Sequence, residues 1–198
     1  MAFDFLALHA QAQRYDDFLA QHATDVNRQR WQAVYDRVRL TNEQRTLLGS
    51  FTRKMPVLCL SGTWCGDCVN GCPIFQRIAE ACPAMDLRFV NRPQSFDPHA
   101  TDAATRFAVE VSICGGPRVP MLVMLSEDGY ECARIGERTL NTYRNKVRQM
   151  HGASCPAGLL PPAADQLATD VAEWLTHFER VQWMLQTSLR LMKLHGEI

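Results

Sequence analysis

The stretch "VLCLSGTWCGDCVNGCP", residues 57–73, decides how the rest of the chain is read. It holds four of the eight cysteines, with Cys65, Cys68 and Cys72 inside eight positions. The apolar run 55–62 ends in Gly62 and reads as a buried strand. Residues 65–81 then place Ile74, Phe75, Ile78 and Ala81 on one side, as a helix would. Cys65 thus stands after a strand and at the start of a helix. The unpaired N–H groups there carry roughly half a positive charge and favour a thiolate over a thiol. A Cys-x-x-Cys so placed often has its first pKa lowered to around 7. One helical turn brings Cys68 close enough to bridge Cys65.

A metal site is the competing reading. Structural zinc is usually held by two separated Cys/His pairs. Here Cys65 and Cys68 form the only such pair, Cys82, Cys114, Cys132 and Cys155 stand alone, and no histidine lies at a short ligand spacing. Convergence of Cys68, Cys72 and Cys114 around zinc or an iron–sulfur cluster stays open as an alternative. The strand, the pair and the helix together favour a redox couple.

Working outward, the first fifty residues read as helical. Phe5, Leu8, Tyr15, Phe18 and Leu19 recur at helical spacing, and Trp31, Val34, Tyr35 and Val38 make a second stripe. Thr41 with Gln44 three residues on forms a capping-box pattern. Beyond the cysteine helix, 86–90 reads as a strand, 104–110 as a helix, and 120–136 as a β-hairpin turning at Asp128-Gly129. A helix over 138–150 follows, then a Gly/Pro-punctuated linker at 151–162. One long helix is expected over 164–194, its stripe running through Leu167, Val171, Trp174, Leu175, Phe178, Val181, Leu185, Leu189 and Met192. Trp183, Met184, Leu191 and Leu194 fall off that stripe. The N-terminal helices are expected to cover them, with a homodimer surface as the alternative.

The segment "TWCGDC" with its preceding strand resembles the thioredoxin superfamily, whose active site reads W-C-G-P-C. Pro73, five residues after Cys68, matches that family's kinking helix proline, and "RVPMLVMLSEDG" resembles its cis-proline segment. The resemblance implies an α/β thioredoxin-like fold with a mixed central sheet flanked by helices. It divides the chain into an N-terminal helical extension (1–52), a thioredoxin-like domain (53–152), and a linker with a long C-terminal helix (153–198). It further implies a thiol–disulfide oxidoreductase, with Cys65 as nucleophile and Cys68 as resolving thiol. Trp64 and Gly66 would support the site, Pro120 would be cis, and the Val119 backbone would pair with an extended substrate. The only redox group would be the Cys65–Cys68 disulfide, with no bound cofactor and no metal. A disulfide-containing protein or small thiol would be the substrate, and a thioredoxin-reductase-type enzyme or glutathione the electron donor.

Departures from that pattern are informative. Thioredoxin's buried aspartate, six residues before the first cysteine, is replaced by Cys59, a much weaker acid. Asp67 replaces the motif's proline and is read as a candidate proton acceptor whose charge raises the Cys65 pKa, or simply as a favourable first-turn acid. Arg118 replaces a glycine, and is read as an offset to Asp67, a carboxylate-binding group on the substrate side, or simply a solvated cation. Cys72 and Cys114 are candidate third thiols.

Lysine plus arginine equals aspartate plus glutamate, which gives no sign of nucleic acid or an anionic membrane as partner. No apolar stretch approaches the ~20 residues that span a bilayer, and no signal peptide is evident, so a cytoplasmic protein is expected. A different class of answer is an adaptor that binds a partner through its helical ends. The retained cysteine pair argues against it, because an adaptor needs neither thiol.

Overall fold

The computed structural model describes residues 3–94, 96–151 and 165–198. Most of the expected linker, and Cys155, lie outside the described residues. Four short helices come first: α1 (Phe5–Gln11), α2 (Tyr15–His22), α3 (Asp25–Tyr35) and α4 (Asn42–Gly49). Strand β1 (Met55–Ser61) leads into α5 (Gly66–Ala81), then β2 (Met85–Asn91) and α6 (Ala103–Glu110). Strands β3 (Met121–Leu125) and β4 (Glu131–Gly136) form the hairpin, and α7 (Leu140–His151), α8 (Gln166–Gln186) and α9 (Leu189–Leu194) complete the order.

The sheet runs β2-β1-β3-β4, with β1 parallel to β2 and antiparallel to β3. β1 is central, and residues 57–61 are all buried, as expected of a strand covered on both faces. Alternate residues of β1 point to opposite faces. Cys59 and Ser61 meet Cys72 of α5, so the odd-numbered face is the one that α5 covers. The outer edge of β2 is partly capped by Gln13, which exchanges backbone bonds of 3.0 and 2.7 Å with Phe89 and blunts an otherwise open edge. That bridge occupies the break between α1 and α2, so the early apolar spacing spans two helices rather than one.

The capping box forms as the sequence suggests: Thr41 Oγ1 accepts from the Gln44 N–H, and Gln44 Oε1 accepts from the Thr41 N–H. The hairpin turns at Gly129, whose φ of +89° suits glycine. A Cβ there would also lie 2.6 Å from Leu6 Cδ1, because α1 packs directly on the turn.

The expected single C-terminal helix is two. Thr187 Oγ1 bonds back to the Trp183 carbonyl at 2.8 Å, and Ser188 accepts from the Leu191 N–H as the N-cap of α9. Short polar side chains offer the backbone alternative partners here and interrupt the helix. The break rotates the apolar stripe. Leu191, expected off the stripe, is fully buried, while Leu189, expected on it, is exposed. α8 packs on α5, where Trp174 meets Phe75 edge-on with ring centroids 4.7 Å apart. Among the described residues no helix is long and apolar enough to cross a membrane.

Candidate active site

Cys65 is the N-cap of α5, held in extended geometry while its N–H donates to the Gly62 carbonyl at 3.0 Å. The turn before it is pinned by the N-terminal helices. Fully buried Trp31 of α3 donates its indole N–H to the Thr63 carbonyl at 2.9 Å, and Thr63 Oγ1 donates to the His22 carbonyl at 2.9 Å. Cys65 is half-buried; Cys68, on the next turn, is completely buried and accepts from the Gly62 N–H at 3.4 Å. Gly66 opens the helix between them.

The Val119–Pro120 peptide is cis, and the Val119 carbonyl lies 3.7 Å from Cys65 Sγ. The β3–β4 register pairs Met121 with Gly136. A Cβ at Gly136 would come within 3.1 Å of the Pro120 carbonyl, so glycine permits this close approach. Trp64 is 56% exposed beside Cys65 and is therefore not a core aromatic. The Arg92 guanidinium lies 5.3 Å from its ring centroid and 4.6 Å from that of Phe96.

The charged residues sort differently from the sequence expectation. Arg118 pairs with Glu137 at 2.8 Å rather than with Asp67. Asp67 instead accepts from Arg138 at 2.5 Å, with Lys146 at 3.5 Å. Glu137, almost completely buried, also accepts from Arg138 at 2.5 Å and from the Tyr143 hydroxyl at 2.8 Å. The Asp67 carboxylate is thus engaged by two cations, which argues against the free proton acceptor that the sequence suggested.

The thiols also depart from expectation. Contact with the Cys68 thiol, then burial, push the Cys65 thiol up, against the pull of the Cys68 and Asp67 backbone N–H groups. The lowering expected from the helix terminus is present but outweighed in the dithiol form. Burial pushes Cys68, Cys72 and Cys59 up as well. Cys72 Sγ lies 3.3 Å from Ser61 Oγ and 3.9 Å from Cys59 Sγ, in the core. Cys114 is exposed at a φ of +50° in the loop before Pro120, apart from that buried group. Among the described residues no three His, Cys, Asp or Glu side chains are grouped to hold a metal ion.

A family model described as thioredoxin matches residues 13–147. The chain belongs to the thioredoxin superfamily. The match begins within the N-terminal helical segment and ends within α7. No curated protein matches. Among solved structures, a Pseudomonas aeruginosa protein of unknown function shares the thioredoxin-like fold, with a TM-score of 0.62 and 15% identity over 89% of this chain and 99% of that one. An HIV epitope scaffold aligns with a TM-score of 0.60 and 15% identity, over 86% and 97% respectively.

Sequence reasoning did not single out Glu137, Arg138, Tyr143, Lys146 or Arg92. One signal was available for the first. Folding the hairpin about Asp128-Gly129 brings the end of β4 alongside the start of β3, and so sets Glu137 near Pro120.

Proposed function

We propose that this thioredoxin-family protein is a thiol–disulfide oxidoreductase that works as a protein-disulfide reductase. The observation that carries the reading is the pairing of a reachable Cys65 at the α5 N-cap with a buried Cys68 one turn on, beside the cis Val119–Pro120 segment.

Cys65, once deprotonated, attacks one sulfur of a substrate disulfide; the S–S bond breaks and the other sulfur leaves as a thiolate that takes up a proton. Cys68 then attacks Cys65 Sγ in the mixed disulfide. The substrate's second sulfur leaves and is protonated, and a Cys65–Cys68 bridge remains. The Cys65 pair is oxidised by two electrons and the substrate reduced by two. An extended substrate segment pairs with the Val119 backbone beside Cys65 in β-augmentation fashion, with exposed Trp64 flanking it. No bound cofactor is needed. Electrons return from a thioredoxin-reductase-type enzyme or from glutathione, and a reducing cytoplasm is the compartment that suits this direction.

The test is a glutathione or dithiothreitol redox titration with mass-spectrometric thiol counting. A couple near or below about −250 mV supports a reductase, whereas one near −150 mV supports an oxidant or isomerase instead. Cys65→Ser should abolish disulfide reduction, and Cys68→Ser should accumulate the mixed disulfide on Cys65.

A further inference from the structure

Four sulfur atoms form a continuous file from the surface to the middle of the sheet. The Cys65 thiol interacts with that of Cys68, Cys68 with that of Cys72, and Cys72 Sγ lies 3.9 Å from Cys59 Sγ. The first three sit on the start and second turn of α5; the fourth comes from β1. Cys59, Cys68 and Cys72 are fully buried. A buried thiol that only fills space has no need of another thiol as neighbour. Cys82, at the far end of α5, is such a case: it is buried and meets the backbone of Ala84 and Met85.

We infer that Cys59 and Cys72 are a second, buried redox couple, connected to the surface couple through Cys68. The inference rests on the proposed exchange chemistry of Cys65 and Cys68. An S–S bond is about 2 Å long, so the buried pair starts in contact and closes by about a further 2 Å.

Transfer needs no outside reagent. Cys72, losing its proton, attacks Cys68 Sγ of the Cys65–Cys68 bridge. A Cys68–Cys72 bond forms, the Cys65–Cys68 bond breaks, and Cys65 leaves as a thiolate that is protonated. Cys59, losing its proton, then attacks Cys72 Sγ. A Cys59–Cys72 bond forms, the Cys68–Cys72 bond breaks, and Cys68 takes up a proton. The buried pair has lost two electrons and two protons, and the surface pair has gained both. Ser61 Oγ, 3.3 Å from Cys72 Sγ, can donate to the thiolate or accept from the thiol as that proton moves. The surface dithiol is restored and can reduce a second substrate disulfide before any donor arrives.

Lys54 and Arg77 bound a tryptic peptide, residues 55–77, that carries all four thiols, so alkyl groups on that one peptide count the bridges. Fully reduced protein is equilibrated without oxygen in dithiothreitol buffers of increasing oxidising poise, quenched in acid, unfolded and alkylated. The peptide should carry four alkyl groups, then two, then none, and fragmentation of the last form should place one bridge between Cys59 and Cys72. The Cys72→Ala protein should stop at one alkyl group, on Cys59, with the Cys65–Cys68 bridge intact. A wild-type peptide that keeps two alkyl groups at every poise overturns the buried couple and leaves the surface couple standing. Failure to form any bridge from Cys65 to Cys68 overturns the proposed function, and the relay with it. The wild-type count decides the matter even if the variant folds poorly.

Discussion

Arg138 Nη2 donates to the Asp67 carboxylate at 2.5 Å, joining the residue between the two motif cysteines to one that follows β4, 71 positions away. Both side chains are largely buried, at 19% and 16% exposure, so the pair is shielded from bulk solvent. The same guanidinium reaches Glu137, which also holds Arg118. An aspartate that opposes a thiolate when alone is here one member of a balanced cluster.

Removing one member should unbalance it. Asp67→Ala leaves Arg138 with Glu137 as its one carboxylate and Lys146 without Asp67, raising the positive charge near the start of α5, and should lower the Cys65 pKa by about one unit, about 1.4 kcal/mol. Arg138→Ala should raise it by a similar amount, and the double variant should return close to the parent. Thiolate absorbance followed against pH reads all three. Identical titrations would mean that the pair does not act on the thiol.

The raised thiols make stability depend on pH in a definite direction. Cys68 has a folded pKa well above its ordinary 9.0 because it is buried. Below the unfolded value both states keep the proton and the stabilisation is complete. Above about pH 9 the unfolded chain releases a proton that the fold retains, so the dithiol form should lose about 1.4 kcal/mol per pH unit for Cys68. Half-exposed Cys65 adds a smaller share, discounted for solvent screening. Urea unfolding at pH 8 and pH 10 should show a larger loss in the dithiol protein than in the Cys65–Cys68 bridged form, where buried thiols such as Cys59 and Cys72 still contribute. Parallel pH dependence in the two forms would contradict it.

Trp31 connects the N-terminal helices to the turn before Cys65 through its bond to the Thr63 carbonyl. Trp31→Phe keeps most of the apolar volume but leaves that buried carbonyl without its donor, at a cost of about 1–3 kcal/mol. Cys65 alkylation should change in rate as the turn loosens, while Cys82, distant in the fold, serves as the control. A stability loss with no change at Cys65 would confine Trp31 to packing.

Gln182 of α8 is fully buried and serves both backbone groups of Arg53, accepting from its N–H at 2.8 Å and donating to its carbonyl at 3.0 Å. Gln182→Leu makes the core more apolar yet should destabilise the protein by about 2–4 kcal/mol, because two buried backbone groups lose their partners. Thermal or urea unfolding measures it. A neutral result would imply that water replaces the amide.

Much of the architecture was legible because it is written in short-range patterns. The buried β1 run, the Thr41–Gln44 box, the Asp128-Gly129 turn and the apolar face of α5 each depend on residues a few positions apart. The C-terminal break was harder to read. Leu185, Leu189 and Met192 keep helical spacing straight through Thr187 and Ser188, and only the hydrogen bonds those two side chains make reveal the interruption. Arg138 and Tyr143 read as ordinary polar residues after a strand and on a helix, with no local signal that they meet Asp67 and Glu137.

By itself the sequence determined the family, the order of strands and helices around the cysteine motif, and the proline beside it, since these follow from residue identity and spacing. Tertiary structure alone decided which cation holds Asp67, that Arg118 serves Glu137, that Cys59 and Cys72 stand in contact, and that the helical ends pin the turn at Thr63 and the chain at Arg53. Those are long-range relations. Charge pairing and thiol contact depend on separations of a few ångströms between residues far apart in the chain, and such distances exist only once the sheet, α5 and the flanking helices have packed.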